Sequence, residues 1–112
     1  MPYHYSHGYL ETTTTQVFES GDRPMVVVSR FVTNTSGSNS TYTLYHVPAD
    51  ETQSDVHAIV FTEQVRTGVQ KESTTPILLA PGDRLEAKAD VAGRITFSIY
   101  AVPYSDWVAG GR

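Results

Sequence analysis

The sequence predicts an all-β protein: a single antiparallel β-sandwich or jelly-roll-like domain of about seven or eight short strands with extended terminal arms. Three observations predict it. The chain is rich in Thr, Val, Tyr and Phe, which suit a pleated, half-buried surface. Apolar and polar residues alternate at period two, and turn residues recur between the alternating segments. No window sustains a helical apolar stripe over three turns.

The last third of the chain carries the clearest pattern. A short strand over 76–79 is followed by a turn at 81–83, where Pro fixes φ and Gly adopts positive φ. Residues 84–89 and 95–101 then alternate strictly, with a turn at 91–94 between them. We expect these two strands to pair as a closing hairpin at the edge of the scaffold.

The first half predicts three further strands. A Thr-rich segment, 12–19, is typical of a lightly covered edge strand. The strand at 26–33 is apolar on both faces at its start, which favours a central position in a sheet. Its alternation places Val27, Phe31 and Thr33 on one face, and Val26, Val28, Arg30 and Val32 on the other. A turn at 34–40, rich in Asn, Ser and Gly, leads into a strand at 41–47 that Pro48 ends.

The stretch from 56 to 73 has two interpretations. It fits one strand over 58–62 and a second near 65–69, or a short helix. The core predicted from all the strands is Val27, Phe31, Leu44, Ile77, Leu79, Leu85, Ala87, Ile95, Phe97 and Ile99.

The predicted organisation is an N-terminal arm (1–11), a β-sandwich domain (12–102) and a C-terminal tail (103–112). The chain has no cysteine, which rules out disulfides and thiolate chemistry. A net charge of −4 without a Lys/Arg cluster argues against a nucleic-acid partner. The apolar runs are too short for a membrane span, and the first ten residues lack the pattern of a signal peptide.

No catalytic, cofactor or metal site is predicted. His4 and His7 form the nearest approach to a metal pair, which His46 and His57 could complete only if the arm folded back. An acidic loop contains Asp50, Glu51 and Asp55, which we interpret as solvated. Asn34-Thr35-Ser36 matches a glycosylation sequon, although no secretion signal accompanies it.

The aromatic residues at both ends are the candidate functional residues, because exposed Tyr and Trp are favoured in protein interfaces. The predicted interface comprises Tyr3, His4, Tyr5, His7, Tyr9, Tyr104 and Trp107. An alternative is a sugar-binding platform that also uses Tyr45 and Tyr100, with calcium bound at the acidic loop.

Two segments, "VVVSRFVTNTSGSNSTYTLYHVP" and "PILLAPGDRLEAKADVAGRITFSIYAV", resemble the small β-sandwich virion structural proteins of tailed bacteriophages. The shared order is a Val-rich strand, an Asn-Thr-Ser turn, a Thr-Leu-Tyr strand, an apolar strand, a Pro-Gly-Asp turn and an alternating closing pair. The resemblance covers about residues 12–102.

The resemblance implies a non-enzymatic virion protein, most simply a capsid decoration or cement protein, assembled in the host cytoplasm. Its expected partners are the major capsid protein or other virion subunits, together with further copies of itself, with a trimer favoured. The alternatives are a neck or tail ring component and a carbohydrate-binding module.

Overall fold

The computed structural model describes residues 4–110, which form nine strands, one 3-10 turn and one short helix. In chain order these are β1 (His4–Tyr9), β2 (Thr15–Glu19), β3 (Met25–Asn34), β4 (Ser40–Val47), the 3-10 turn (Asp55–His57), β5 (Ala58–Val65), β6 (Gln70–Ser73), β7 (Ile77–Leu79), β8 (Arg84–Ala89), β9 (Ile95–Pro103) and α1 (Tyr104–Gly110).

The strands form two antiparallel sheets that pack as a β-sandwich, so the predicted fold class is confirmed. A five-stranded sheet has the order β1-β9-β3-β6, with β7 also paired to β3. A four-stranded sheet has the order β2-β8-β4-β5. Nine strands are present in residues 4–110 rather than the expected seven or eight.

Strand β3 occupies the central position that its sequence predicted. It pairs with β9 along one side, and with β7 and then β6 along the other. A register shift between Val27 and Ser29 marks a β-bulge, which inserts one extra residue into the alternation. Val27 therefore lies in the core while Phe31 lies on the outer face, and the prediction that these two residues share a face is wrong.

The predicted closing hairpin is also wrong. β8 lies between β2 and β4 in the four-stranded sheet, whereas β9 lies between β1 and β3 in the other sheet. Both strands are interior to their sheets rather than at an edge. The turn after Ala89 therefore carries the chain from one sheet to the other. Strict alternation specifies which face of a strand is buried but not which strand it pairs with.

The ambiguous middle stretch contains β5 and β6. β5 is one strand of eight residues, bulged near Thr62, which has a positive φ of 47°. The turn through Gly68 then leads to β6, so the strand expected near 65–69 begins at Gln70 instead.

Seven of the ten predicted core residues are buried: Val27, Leu44, Leu79, Leu85, Ala87, Ile95 and Ile99. Ile77 and Phe97 are half-buried and pack against this cluster. Other side chains complete the core, among them Leu10, Val17, Phe18, Met25, Tyr42 and Val65.

The N-terminal segment is part of the sandwich. β1 pairs with β9 in register from His4 opposite Ala101 to Tyr9 opposite Thr96. Leu10, directly after β1, is only 1% exposed. The prediction of a separate arm is therefore wrong for residues 4–10, and the sheets span residues 4–103. The last strand ends at Pro103 as predicted, and the tail continues as α1.

No helix within residues 4–110 has the length and apolar character that crossing a membrane requires.

Candidate functional site

The predicted N-terminal aromatics lie on the outer face of the five-stranded sheet, in a row that we call the aromatic strip (His7, Tyr5, Tyr100 and Phe31). Tyr5 on β1 is directly opposite Tyr100 on β9, and their rings stack with centroids 4.7 Å apart. The Tyr5 ring also stacks on His7 at 4.7 Å. Phe31 on β3 meets Tyr100 edge to face at 6.1 Å, so the strip crosses three strands.

The strip ends at an edge strand with exposed aromatic side chains. Tyr5 is 49% exposed and Tyr9, two positions beyond His7 on the same face of β1, is 53% exposed. Desolvation, followed by interaction with Tyr5, raises the pKa of Tyr100. The strip thus places partly exposed aromatic side chains along one sheet edge.

The C-terminal aromatics lie at one end of the same sheet. The Tyr104 and Trp107 rings are 6.2 Å apart on α1, and the Tyr104 amide donates to the Pro24 carbonyl at 3.0 Å. His4 pairs with Ala101, three residues before α1, so the start of β1 and the start of α1 lie at the same end. The remaining predicted interface residue, Tyr3, lies outside the described residues.

The four histidines do not meet. His46 Nε2 lies 2.9 Å from Asp83 Oδ2, and His57 Nε2 lies 2.8 Å from Glu51 Oε1, while His4 and His7 are on β1. Within residues 4–110 no group of three or more His, Asp or Glu side chains is placed to hold a metal ion.

His57 makes two hydrogen bonds within the acidic loop. The Ser54 amide donates to His57 Nδ1 at 3.1 Å, so the opposite nitrogen carries the proton and donates to Glu51. This contact closes the loop over 51–57.

Asp83 serves the fold in a similar way. Its carboxylate accepts hydrogen bonds from the Ala80 and Ala49 amides at 3.1 and 3.2 Å. With His46 as a third partner, this carboxylate joins the β7–β8 turn to the segment that follows β4.

A second candidate site, which the sequence did not predict, is a gap between the two sheets that we call the inter-sheet cleft. It opens between β5 and β6, which are edge strands of opposite sheets and both contribute lining residues. Its volume is about 610 Å³, within the range of small-molecule sites. Its apolar lining includes Leu10, Val17, Leu44, Val60, Phe61, Phe97 and Ile99.

The polar residues that line the same cleft include Arg30, Tyr42, Glu63 and Lys71. The Tyr42 hydroxyl donates to Glu63 Oε1 at 3.1 Å, and Lys71 Nζ donates to Glu63 Oε2 at 3.2 Å. Burial, and then the Glu63 carboxylate, raises the pKa of Tyr42, while the charge of Arg30 acts in the opposite direction. Glu63 is therefore neutralised by a cation and bound by a phenol.

One signal in the sequence could have indicated the cleft. Arg30 shares a strand face with apolar residues, and a lone cation there indicates either a buried partner or a place where a face opens. β3 places Arg30 opposite Ile99, whose side chain is buried between the sheets, so both point inward. The absence of a covering strand between β5 and β6 depends on the pairing of distant segments, which the sequence pattern does not encode.

No known protein-family model matches the chain, and no curated protein has a similar sequence.

Proposed function

We propose that the protein is a non-enzymatic structural protein of a bacteriophage particle. In the form we favour, it is a capsid decoration or cement protein that self-associates as a trimer and binds neighbouring coat subunits in the virion. The ordered strand-and-turn resemblance across residues 12–102 supports this proposal. The single observation that carries it is the edge strand β1, with Tyr5 and Tyr9 exposed along one face.

An edge strand suits assembly for two physical reasons. One side of its backbone offers amide and carbonyl groups that another chain can pair with. Tyr side chains beside it supply large contact area at a low cost in conformational entropy, and Tyr and Trp dominate the energetics of many interfaces. α1, with Tyr104 and Trp107, adds a second aromatic group at one end of the same sheet.

The pairing of β1 bears on which surface such a protein would use to bind its neighbours. Residues 4–10 are not a free arm, because β1 is already paired to β9. The contact surface that we propose is therefore the edge of a sheet, which is more ordered than a free segment. Rigid surfaces lose less entropy when they bind. A particle carrying many copies then converts modest individual affinity into firm attachment by avidity.

Substitutions, rather than truncation, test the proposal. Deleting residues 1–10 would remove β1 and the buried Leu10, so loss of binding could reflect loss of fold. The double variant Tyr5→Ser, Tyr9→Ser should weaken self-association and attachment to coat-protein shells by roughly tenfold or more. Sedimentation velocity and co-sedimentation with shells measure these two effects.

Leu78→Ser is the matched control, since Leu78 is 56% exposed on β7, away from β1. Its association should match that of the wild type. Equal association by the double variant would reject the β1 interface. A protein that stays monomeric and does not bind coat-protein shells at any concentration tested would reject the structural role itself.

Copy number separates the two virion locations. Quantitative mass spectrometry of purified particles should find roughly hundreds of copies for a shell protein, and about six or twelve for a neck or tail ring.

The exposed Tyr9 ring on β1 also favours a second function, carbohydrate binding, because a flat aromatic ring can stack on a sugar ring. A glycan array probed with the wild type and with Tyr9→Ser distinguishes it. Specific glycan binding that the substitution abolishes would support this function over a coat contact.

A further inference from the structure

We propose that the inter-sheet cleft is a binding site for a small amphipathic carboxylate, an aliphatic chain that ends in a single carboxyl group. The apolar chain would lie against the cleft lining and the carboxylate would pair with Arg30. This site is separate from the β1 edge and does not depend on the proposed virion role.

The apolar part of the cleft matches an aliphatic chain. Leu44 and Ile99, on opposite sheets, both line it, so a ligand there would contact the two inner faces of the sandwich. On β5, Ile59 and Phe61 line the cleft yet remain 45% and 58% exposed. Covering such side chains with an apolar ligand removes apolar surface from water, which is the main favourable term in binding of this kind.

Arg30 defines the charge of the ligand. It is half-buried and lines the cleft, and with the described residues it makes no hydrogen bond or ion pair. A guanidinium group withdrawn from water without an anionic partner is unfavourable. Its planar set of donors matches a carboxylate, which accepts two parallel hydrogen bonds from it.

The other charges in the cleft favour a monoanion. Lys71 is already paired with Glu63, so Arg30 is the one cation among the cleft-lining residues that lacks a partner in the described chain. The carboxylate of Glu63 also lines the cleft and would repel a second negative charge on the ligand. A phosphate monoester or a dicarboxylate is therefore disfavoured relative to a monocarboxylate.

Matched probes test the charge and the chain separately. Isothermal titration calorimetry with decanoate and with decanol compares the same chain length with and without the carboxylate. Decanoate should bind the wild type roughly tenfold or more tightly than decanol, as expected when one charged hydrogen-bonded pair is gained. Amide shifts in a ¹H–¹⁵N spectrum should be centred on cleft residues such as Val60 and Lys71.

Two variants assign the contacts. Arg30→Gln should weaken decanoate binding by roughly 10- to 100-fold and leave decanol binding unchanged. Arg23→Gln makes the same charge change in an exposed loop that does not line the cleft, and should change neither. Val60→Trp places a larger side chain in the cleft lining and should reduce binding of both probes. Dispersion of the amide spectrum shows whether each variant is folded.

Several results would overturn the proposal. These are no decanoate binding to the wild type at millimolar concentration, equal binding by Arg30→Gln, or amide shifts centred outside the cleft. Amide shifts at Val60 and Lys71 that depend on protein concentration, without decanoate binding, would mean that a second copy occupies the cleft instead.

Discussion

The side-chain amide of Asn34 donates a 2.9 Å hydrogen bond to the carbonyl of Val65, and this bond joins the two sheets. Asn34 ends β3 in the five-stranded sheet, and Val65 ends β5 in the four-stranded sheet. Asn34 is fully buried, and the same nitrogen donates to the Ser38 carbonyl at 2.8 Å. Glycosylation at the sequon would need this nitrogen, so the Asn-Thr-Ser motif serves the fold.

We expect Asn34→Ala to lower the free energy of unfolding by about 3 kcal/mol, because it leaves the buried carbonyl of Val65 without a donor and removes the hydrogen bond to the Ser38 carbonyl. The Ser36 amide would lose its acceptor as well. Urea denaturation measures the effect. Asn39→Ala is the control, since Asn39 is exposed and should cost under about 1 kcal/mol. A loss from Asn34→Ala no larger than that of the control would show that the buried amide does not fasten the sheets.

Gly82, in the turn before β8, and Gly21, in the turn after β2, allow backbone strain to be distinguished from steric contact as reasons for glycine. Gly82 and Gly21 both have positive φ, 84° and 78°. A Cβ at Gly82 would lie 2.8 Å from the Ala49 Cβ, whereas one at Gly21 would meet nothing within 4 Å. Gly21→Ala should therefore cost about 1 kcal/mol from backbone strain alone, and Gly82→Ala about 2 kcal/mol or more. Thermal denaturation of both variants measures the difference. Equal losses would contradict the steric contact with Ala49.

Tyr42 and Tyr45 are buried on opposite faces of β4, and loss of the hydroxyl should change the stability of the protein in opposite directions at the two positions. Among the described residues the Tyr45 hydroxyl has no hydrogen-bond partner, and the residue is fully buried. Tyr45→Phe should leave stability unchanged or raise it by up to about 1 kcal/mol, because it removes an unpaired polar group. Tyr42→Phe should lower it by about 1.5 kcal/mol through loss of the bond to Glu63. A destabilised Tyr45→Phe would mean that its hydroxyl is satisfied.

The local parts of the fold could be predicted from sequence. The Pro81-Gly82-Asp83 turn follows from residue chemistry, and Gly82 has the positive φ that was expected. Alternation correctly placed β8 and β9, since side chains at every second position must share a face. These features depend on a few consecutive residues.

The missed features depend on distant residues or on one inserted residue. The bulge at Val28 reverses the faces of β3, so Phe31 moved from the predicted core to the aromatic strip. β1 lacks the alternation of aliphatic and polar residues that marks the other strands. Its aromatic residues at 5, 7 and 9 instead occupy every second position and share one face. Which strands pair, and therefore where the cleft opens, follows from contacts far apart in the chain.

Asp90 should contribute stability that is lost in acid. Burial acts to raise the pKa of Asp90, but hydrogen bonds from the Ser40 hydroxyl and the Thr41 amide outweigh it and lower this pKa below its ordinary value. The folded state therefore favours the carboxylate. This contribution is complete above the unfolded pKa of about 3.9 and disappears as pH falls through the folded value.

Ser40→Ala should raise the pKa of Asp90, because one of the hydrogen bonds to the carboxylate is removed. An NMR titration of the Asp90 side-chain carboxyl measures the change. Ser38→Ala, at an exposed position on the same turn, should leave the titration unchanged. An Asp90 titration that stays the same in Ser40→Ala would show that this hydroxyl does not hold the carboxylate.

Tyr42 should make the protein sensitive to alkali. Burial, followed by Glu63, raises the pKa of Tyr42, so the folded state favours the neutral phenol. Below the unfolded pKa of about 10 both states are protonated. As pH rises above this value, the unfolded state loses the proton first, and the free energy of unfolding should fall by up to about 1.4 kcal/mol per pH unit.

Tyr42→Phe should show a shallower loss of stability in urea denaturation between about pH 10 and 11. Asn34→Ala, destabilised but with the phenol intact, should keep the wild-type slope, and an unchanged slope in Tyr42→Phe would assign the alkaline loss to another group.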